Sequence, residues 1–250
     1  MKKIIKTVIA AALCAGSVST VHAALFTTNY GTQLPLPSDC DDCYAGPIAF
    51  SGTGQSINFF GTTYDSLYVG SNGYVTFGSG RTDFSSQPLD TQNVAPMIAA
   101  FYTDLDSRND TNSNVYVSTS TDGQIVATWE LMGHYNQNYA VRSTFQLVIR
   151  SDQANRPAGE GQIGFFYGDI SDSSLVSAGF GDGKSESNPG EVAFASRVDG
   201  TTLANTTRFF DINAGVPVDV PPSDVPEPGS LALLGAGLAG LLARRRRRAA

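Results

Sequence analysis

Between residues 47 and 215 apolar and polar positions alternate in short runs, with clusters of Gly, Asn, Asp and Ser between them. Side chains on a strand point to opposite faces with a period of two, so this pattern predicts half-buried β-strands joined by turns. Ile57-Asn58-Phe59-Phe60-Gly61 reads as one strand. Leu67 to Val69 and Tyr74 to Phe77 flank Gly70-Ser71-Asn72-Gly73, a hairpin whose Asn-Gly pair tolerates positive φ. The nearly unbroken apolar run Ala95 to Phe101 predicts a strand buried on both faces. Further strands are expected over 115–118, 125–131, 144–150, 163–170, 176–180, 192–195 and 209–212, with Ile125, Ala127, Trp129 and Leu131 on one face. No amphipathic helix of useful length competes. The fold class is all-β, an antiparallel β-sandwich with long loops.

The two ends follow other rules. Lys2, Lys3 and Lys6 precede an apolar stretch that closes on Val21-His22-Ala23, which predicts a cleaved export signal over 1–23, its apolar part helical. Residues 24–46 form a lead-in with a cysteine loop. Residues 216–224, with Pro217, Pro221 and Pro222, read as a linker. At the C-terminus Val225, Pro226, Glu227 and Pro228 come first. An uncharged run from Leu231 to Ala243 follows, then Arg244, Arg245, Arg246, Arg247 and Arg248. Prolines keep the first part out of a helix interior. The apolar run predicts a short helix, below the ~20 residues that span a bilayer comfortably, and the arginines stop transfer on the cytoplasmic side.

This order of parts over 225–250 resembles the PEP-CTERM sorting signal of Gram-negative bacteria. The resemblance implies Sec export, transient anchoring in the inner membrane and cleavage near Pro226-Glu227-Pro228 by an exosortase-type transpeptidase. It then implies delivery to the cell surface or extracellular matrix. An uncut tail anchor is the alternative, but it would gain nothing from the Pro-Glu-Pro.

Charge changes the picture of the cargo. Residues 24–224 hold eight basic and 22 acidic side chains, a net charge of −14. Such a surface repels nucleic acid and anionic lipid. It suits divalent cations, or serves only solubility. Cys40 and Cys43 sit in a Pro- and Asp-rich loop, where an even pair in an exported protein predicts a disulfide. Neighbouring carboxylates oppose thiolate chemistry there.

The middle of the chain resembles the nidogen-like (NIDO) domain family. The resemblance rests on Phe59-Phe60-Gly61, Tyr68-Val69, Asn72-Gly73-Tyr74-Val75-Thr76-Phe77, Ala95-Pro96, Phe101-Tyr102-Thr103-Asp104-Leu105-Asp106, Thr128-Trp129-Glu130, Thr144-Phe145-Gln146-Leu147, Phe166-Tyr167-Gly168-Asp169-Ile170 and Ala178-Gly179-Phe180, in the family's order over roughly 57–212. Tyr102 stands where the family usually has tryptophan. The resemblance implies an extracellular adhesion-type module without catalytic activity, placed here over 47–215.

Two loops carry candidate chemistry. Asp104, Asp106, Asn109 and Asp110 offer hard oxygen ligands suited to Ca²⁺, although Val115 stands where an EF-hand needs Glu; capping of turns by these carboxylates is the competing explanation. His134, Tyr135, Asn136 and Tyr139 mix aromatic and amide groups in a way that suits a glycan, or merely a polar hairpin loop. His134 is the only histidine beyond the export signal, and nothing beside it in sequence resembles an activated serine. Gly159, Gly161 and Gly164 spell a dinucleotide fingerprint but precede strand-like residues instead of opening a helix. The expected function is therefore non-catalytic: cell–matrix adhesion or exopolysaccharide (biofilm) association, with no required cofactor and Ca²⁺ as the candidate ion. A secreted polysaccharide-acting enzyme on the same scaffold and a purely structural matrix component are the alternatives.

Overall fold

A computed structural model describes residues 25–91, 95–184 and 191–220. The export segment, the sorting segment and the helices expected in them lie outside the described residues, as do Val225 to Pro228 and Arg244 to Arg248. Among the described residues no helix is long and apolar enough to cross a membrane.

Two antiparallel sheets form a sandwich. The larger runs β1 (Thr32–Gln33), β9 (Asn114–Ser118), β10 (Gln124–His134), β11 (Asn138–Arg150), β12 (Ile163–Ile170), β15 (Thr207–Asn213) and β16 (Val216–Val220), with β8 (Leu105–Asp106) paired to the end of β10. The second runs β14 (Val192–Asp199), β13 (Leu175–Gly181), β7 (Met97–Tyr102), β6 (Tyr74–Thr76), β5 (Ser66–Gly70) and β2 (Tyr44–Ala49). A small ribbon pairs β3 (Ile57–Phe59) with β4 (Thr62–Tyr64). Alternating inward residues of both sheets fill one core: Ile125, Ala127, Trp129, Phe145, Leu147 and Phe165 from the first meet Val69, Val75, Ile98, Phe101 and Phe180 from the second. Two hydrogen bonds cross the core, from Trp129 Nε1 to the Gly70 carbonyl (2.9 Å) and from the Tyr167 hydroxyl to the Ala100 carbonyl (2.6 Å). They satisfy the polar ends of two large buried side chains, which would otherwise be costly to bury.

The structure differs from the sequence reading at five places, each for a local reason. Phe60 and Gly61 do not extend a strand; both take positive φ (47° and 82°) and turn the chain from β3 into β4. The expected linker begins with an edge strand, since Ala214 and Gly215 (φ 52° and 86°) make a two-residue turn between β15 and β16. Pro217 is tolerated there because an edge strand pairs on one side only. A Cβ at Gly215 would lie 2.6 Å from Asn58 Oδ1, so the two tight turns pack on each other. The lead-in is structural too: β1 pairs with β9 and β2 with β5.

Leu131 leaves the core face. It has φ 49° and is 40% exposed, and a register shift between Trp129 and Met132 puts Met132 into the core instead. Such a bulge inserts one residue and reverses the alternation after it. The Asn72-Gly73 turn also differs, because only Gly73 has positive φ (78°). Ser71, Asn72 and Gly73 form a three-residue connection closed by a left-handed glycine. A Cβ on Gly73 would meet the Phe101 carbonyl at 2.1 Å. Asn72 is thereby buried, and its side chain is free to act elsewhere.

Candidate metal centre

Asn72 organises one end of the sandwich. Its amide nitrogen donates to Asp42 Oδ1 (2.8 Å) and to the Asp83 carbonyl (3.2 Å), and its Oδ1 accepts the buried Leu105 N–H (2.9 Å). It therefore ties the cysteine loop to the corner where β7 turns into β8. Ser71 makes the second tie. Its N–H donates to the Cys43 carbonyl (2.7 Å), its hydroxyl donates to the Asp41 carbonyl (2.7 Å), and the same hydroxyl oxygen accepts the Cys43 N–H (3.0 Å).

These ties bring Asp41 and Asp42 to Asp104, and one carboxylate oxygen from each lies within 4.8 Å of the others. Asp41 Oδ1 and Asp104 Oδ1 are buried atoms without a hydrogen-bond partner. The electrostatics match that crowding. Burial, followed by the charge of Asp106, pushes the Asp41 carboxyl up to about 7, against the pull of Arg108. Burial and the charge of Asp42 push Asp104 up to about 6, against His134. Desolvated carboxylates that repel each other favour protonation or a cation. Three hard oxygen donors suit Ca²⁺ or Mg²⁺ better than a thiolate-seeking metal.

Of the four residues expected to hold Ca²⁺, only Asp104 belongs to this cluster. Asp106 is fully buried and engaged: Arg108 Nη2 lies 2.6 Å from its Oδ2, and the Arg108 and Gln137 N–H groups donate to it at 2.9 and 2.8 Å. Those bonds hold its carboxyl below the ordinary value despite burial. Asp110 accepts from Arg142 (2.6 Å) and Ser113 (2.7 Å) and caps the Asn112 N–H (3.1 Å). Burial opposes its ionisation, but these bonds outweigh it and lower its carboxyl to about 2. Asn109 takes φ 57° and donates its N–H to the Ser38 carbonyl (3.2 Å). Capping of turns thus accounts for Asp106 and Asp110, and Asn109 serves as a left-handed turn position.

Cys40 and Cys43 are both free thiols, which corrects the expected disulfide. The loop is held by Ser71 and Asn72 rather than by a covalent bridge, and burial pushes the Cys43 thiol well up.

The second candidate loop is also split. His134 Nδ1 faces Asp172 Oδ2 at 3.2 Å, and this contact raises its pKa against the effect of burial. The hydroxyl of Tyr139 donates to the Arg108 carbonyl, and Arg142 lies over its ring at 5.2 Å. Asn136, with Gln137, takes positive φ and forms the turn between β10 and β11. Tyr135 is 58% exposed. So His134 and Tyr139 brace the site, while Tyr135 and Asn136 face outward or turn the chain.

Asp41 and Asp42 were missing from the expected ligand set, as was Asn72 from the expected site as the residue that positions them. The acidic run beside the cysteines was visible in sequence; its approach to Asp104, more than 60 positions away, was not.

Comparison with known proteins completes the description. The PEP-CTERM protein-sorting motif matches residues 224–248. Nidogen of Drosophila melanogaster is 26% identical over 124 residues, covering 40% of this chain and 9% of the fly protein. The chain thus spans a small fraction of that relative's length. No solved structure matches. The sorting motif and the domain together indicate an exported cell-surface protein processed by exosortase-type machinery. With the NIDO-related family matching residues 18–222, the chain belongs to that family.

Proposed function

We propose that this protein is a non-catalytic surface module that associates with exopolysaccharide, or adheres to matrix, after its precursor has been anchored briefly in the inner membrane of a Gram-negative bacterium and cut. The observation that carries the reading is one of position. The last described strand ends at Val220, and the sorting motif begins at 224. The described sandwich therefore reaches to within a few residues of the motif at which the chain is processed.

One feature favours binding over catalysis: Asp172 Oδ2 faces His134 Nδ1 at 3.2 Å, but the hydroxyl of the neighbouring Ser174 pairs with the Thr103 hydroxyl (3.2 Å) and not with the imidazole, as an activated nucleophile would. Ca²⁺, held by Asp41, Asp42 and Asp104, acts in this reading as a clamp on the cysteine loop.

Replacing Pro226, Glu227 and Pro228 with alanine should leave uncut protein in the inner membrane and deplete it from the matrix fraction. Normal cutting and release of that variant would overturn the delivery. A mature protein that fails to co-sediment with the host's exopolysaccharide would overturn the association.

A further inference from the structure

We propose that the outer face of the second sheet carries a binding groove for neutral sugars, framed by Tyr64, Tyr68 and Tyr44. The proposal rests on the exopolysaccharide reading above and assigns it a site and a class of sugar. In β5, Leu67 and Val69 enter the core, so Ser66 and Tyr68 face outward. Beside them lies a groove of about 380 Å³, lined by Tyr64, Tyr68, Ser56, Thr63, Asp65 and Ser66 among others. Tyr44 of β2 meets Tyr68 edge to face, with ring centroids 5.8 Å apart and planes at 82°, and it is 43% exposed at the rim. Tyr64 is braced from behind by Phe77 at 5.0 Å.

The hydroxyls of the groove tyrosines are not used inside the fold. Tyr74 and Tyr139 each donate to a backbone carbonyl, as does Tyr167 from within the core. Among the described residues, the hydroxyls of Tyr44, Tyr64 and Tyr68, like that of exposed Tyr135, donate to no group. Two rings with free polar tips, Tyr64 and Tyr68, thus line one groove, and Tyr44 packs against the second of them.

The chemistry fits a pyranose. Its C–H face is apolar and slightly positive, and it complements the negative face of an aromatic ring. Its equatorial hydroxyls would bond around the edge with the phenols and with Ser56, Thr63 and Ser66. Two aromatic faces beside a few placed polar groups give the mixed lining that orients a small ligand. Charge selects the class. Asp65 is the only charged residue lining the groove, its Oδ1 already accepts the Ser66 hydroxyl (2.9 Å), and no Lys or Arg lines it. An anionic sugar would meet one carboxylate and no counter-charge, so a neutral chain is favoured.

The test uses the full-length chain in detergent micelles. Neutral gluco-oligosaccharides are titrated beside oligogalacturonate and choline, and co-sedimentation with the host's exopolysaccharide is measured in parallel. Wild type should bind the neutral ladder. Tyr68→Ala should weaken that binding by about ten-fold, as truncating a central aromatic anchor does, with an unchanged melting temperature; Tyr68→Trp should retain it. Equal binding by Tyr68→Ala, or preference for oligogalacturonate or choline, overturns the groove. If wild type and Tyr68→Ala co-sediment equally with exopolysaccharide, association stands and this site falls. If neither co-sediments while the oligosaccharides still need Tyr68, the site stands and the association falls.

Discussion

Asn72 reaches Asp42 across 2.8 Å, and through that contact a buried turn of the second sheet holds an acidic loop from 30 residues earlier in the chain. The same amide accepts the Leu105 N–H, so one side chain fixes both walls of the carboxylate cluster.

Asn72→Ala should be among the more damaging single changes. It removes three hydrogen bonds and strands a buried backbone N–H at Leu105. A loss of about 2–4 kcal/mol is expected, read as a lower denaturant midpoint with an unchanged slope. A midpoint equal to wild type would show that the two walls stand without this residue.

The cation claim has a pH signature. Asp41 and Asp104 have folded-state values of about 7 and about 6, above the ordinary carboxylate value. An acid shifted upward binds more protons when folded. Its stabilising effect is complete below about pH 4 and is lost as pH rises through 6 and 7. In chelator, the melting temperature should fall over that interval. Ca²⁺ at a hundred times its dissociation constant should add about 2.7 kcal/mol at pH 7 and flatten the slope. Asp104→Asn should abolish the Ca²⁺ response. A melt at pH 7 that Ca²⁺ leaves unmoved would end the clamp.

Arg142 makes the opposite kind of contribution. Its Nη1 serves Asp110, the Ser113 hydroxyl (3.0 Å) and the Leu131 carbonyl (2.6 Å). Asp110, lowered to about 2, stabilises the fold above about pH 4 and loses that contribution as pH falls through its folded value. Arg142→Ala should cost about 1–3 kcal/mol at pH 7 and move the acid unfolding limb to higher pH. Acid unfolding at the wild-type pH would count against the pairing.

Trp129 joins the sheets through its Nε1 bond to Gly70, and its ring is stacked at 5.0 Å on Phe145, its cross-strand neighbour in the same sheet. Trp129→Phe keeps an aromatic but leaves the Gly70 carbonyl unpaired and a void beside it. A loss of about 2–4 kcal/mol follows. Calorimetry would check it, and a cost under half a kcal/mol would mean that the core relaxes around the smaller ring.

The sequence by itself determined the all-β class, most of the strands and the address at the C-terminus. These are local properties: alternation sets which side chains enter the core, and three consecutive parts with different demands make the sorting tail. Tertiary structure decided the rest. Leu131 satisfies the alternation yet points outward, because it sits in the bulge between Trp129 and Met132. Pro217 looks like a linker residue, yet it pairs, because its strand lies at an edge. Asp106 and Asp110 look like metal ligands, yet arginines at 108 and 142 and backbone N–H groups take up their oxygens, whereas Asp41, also paired with Arg108 at 2.8 Å, keeps its Oδ1 without a partner. Asp41, Asp42 and Asp104 meet only because Asn72, which the chain reads as a turn former, is buried between two loops distant in sequence. A one-dimensional pattern records the period of a strand, but not which charges folding will bring within reach of each other.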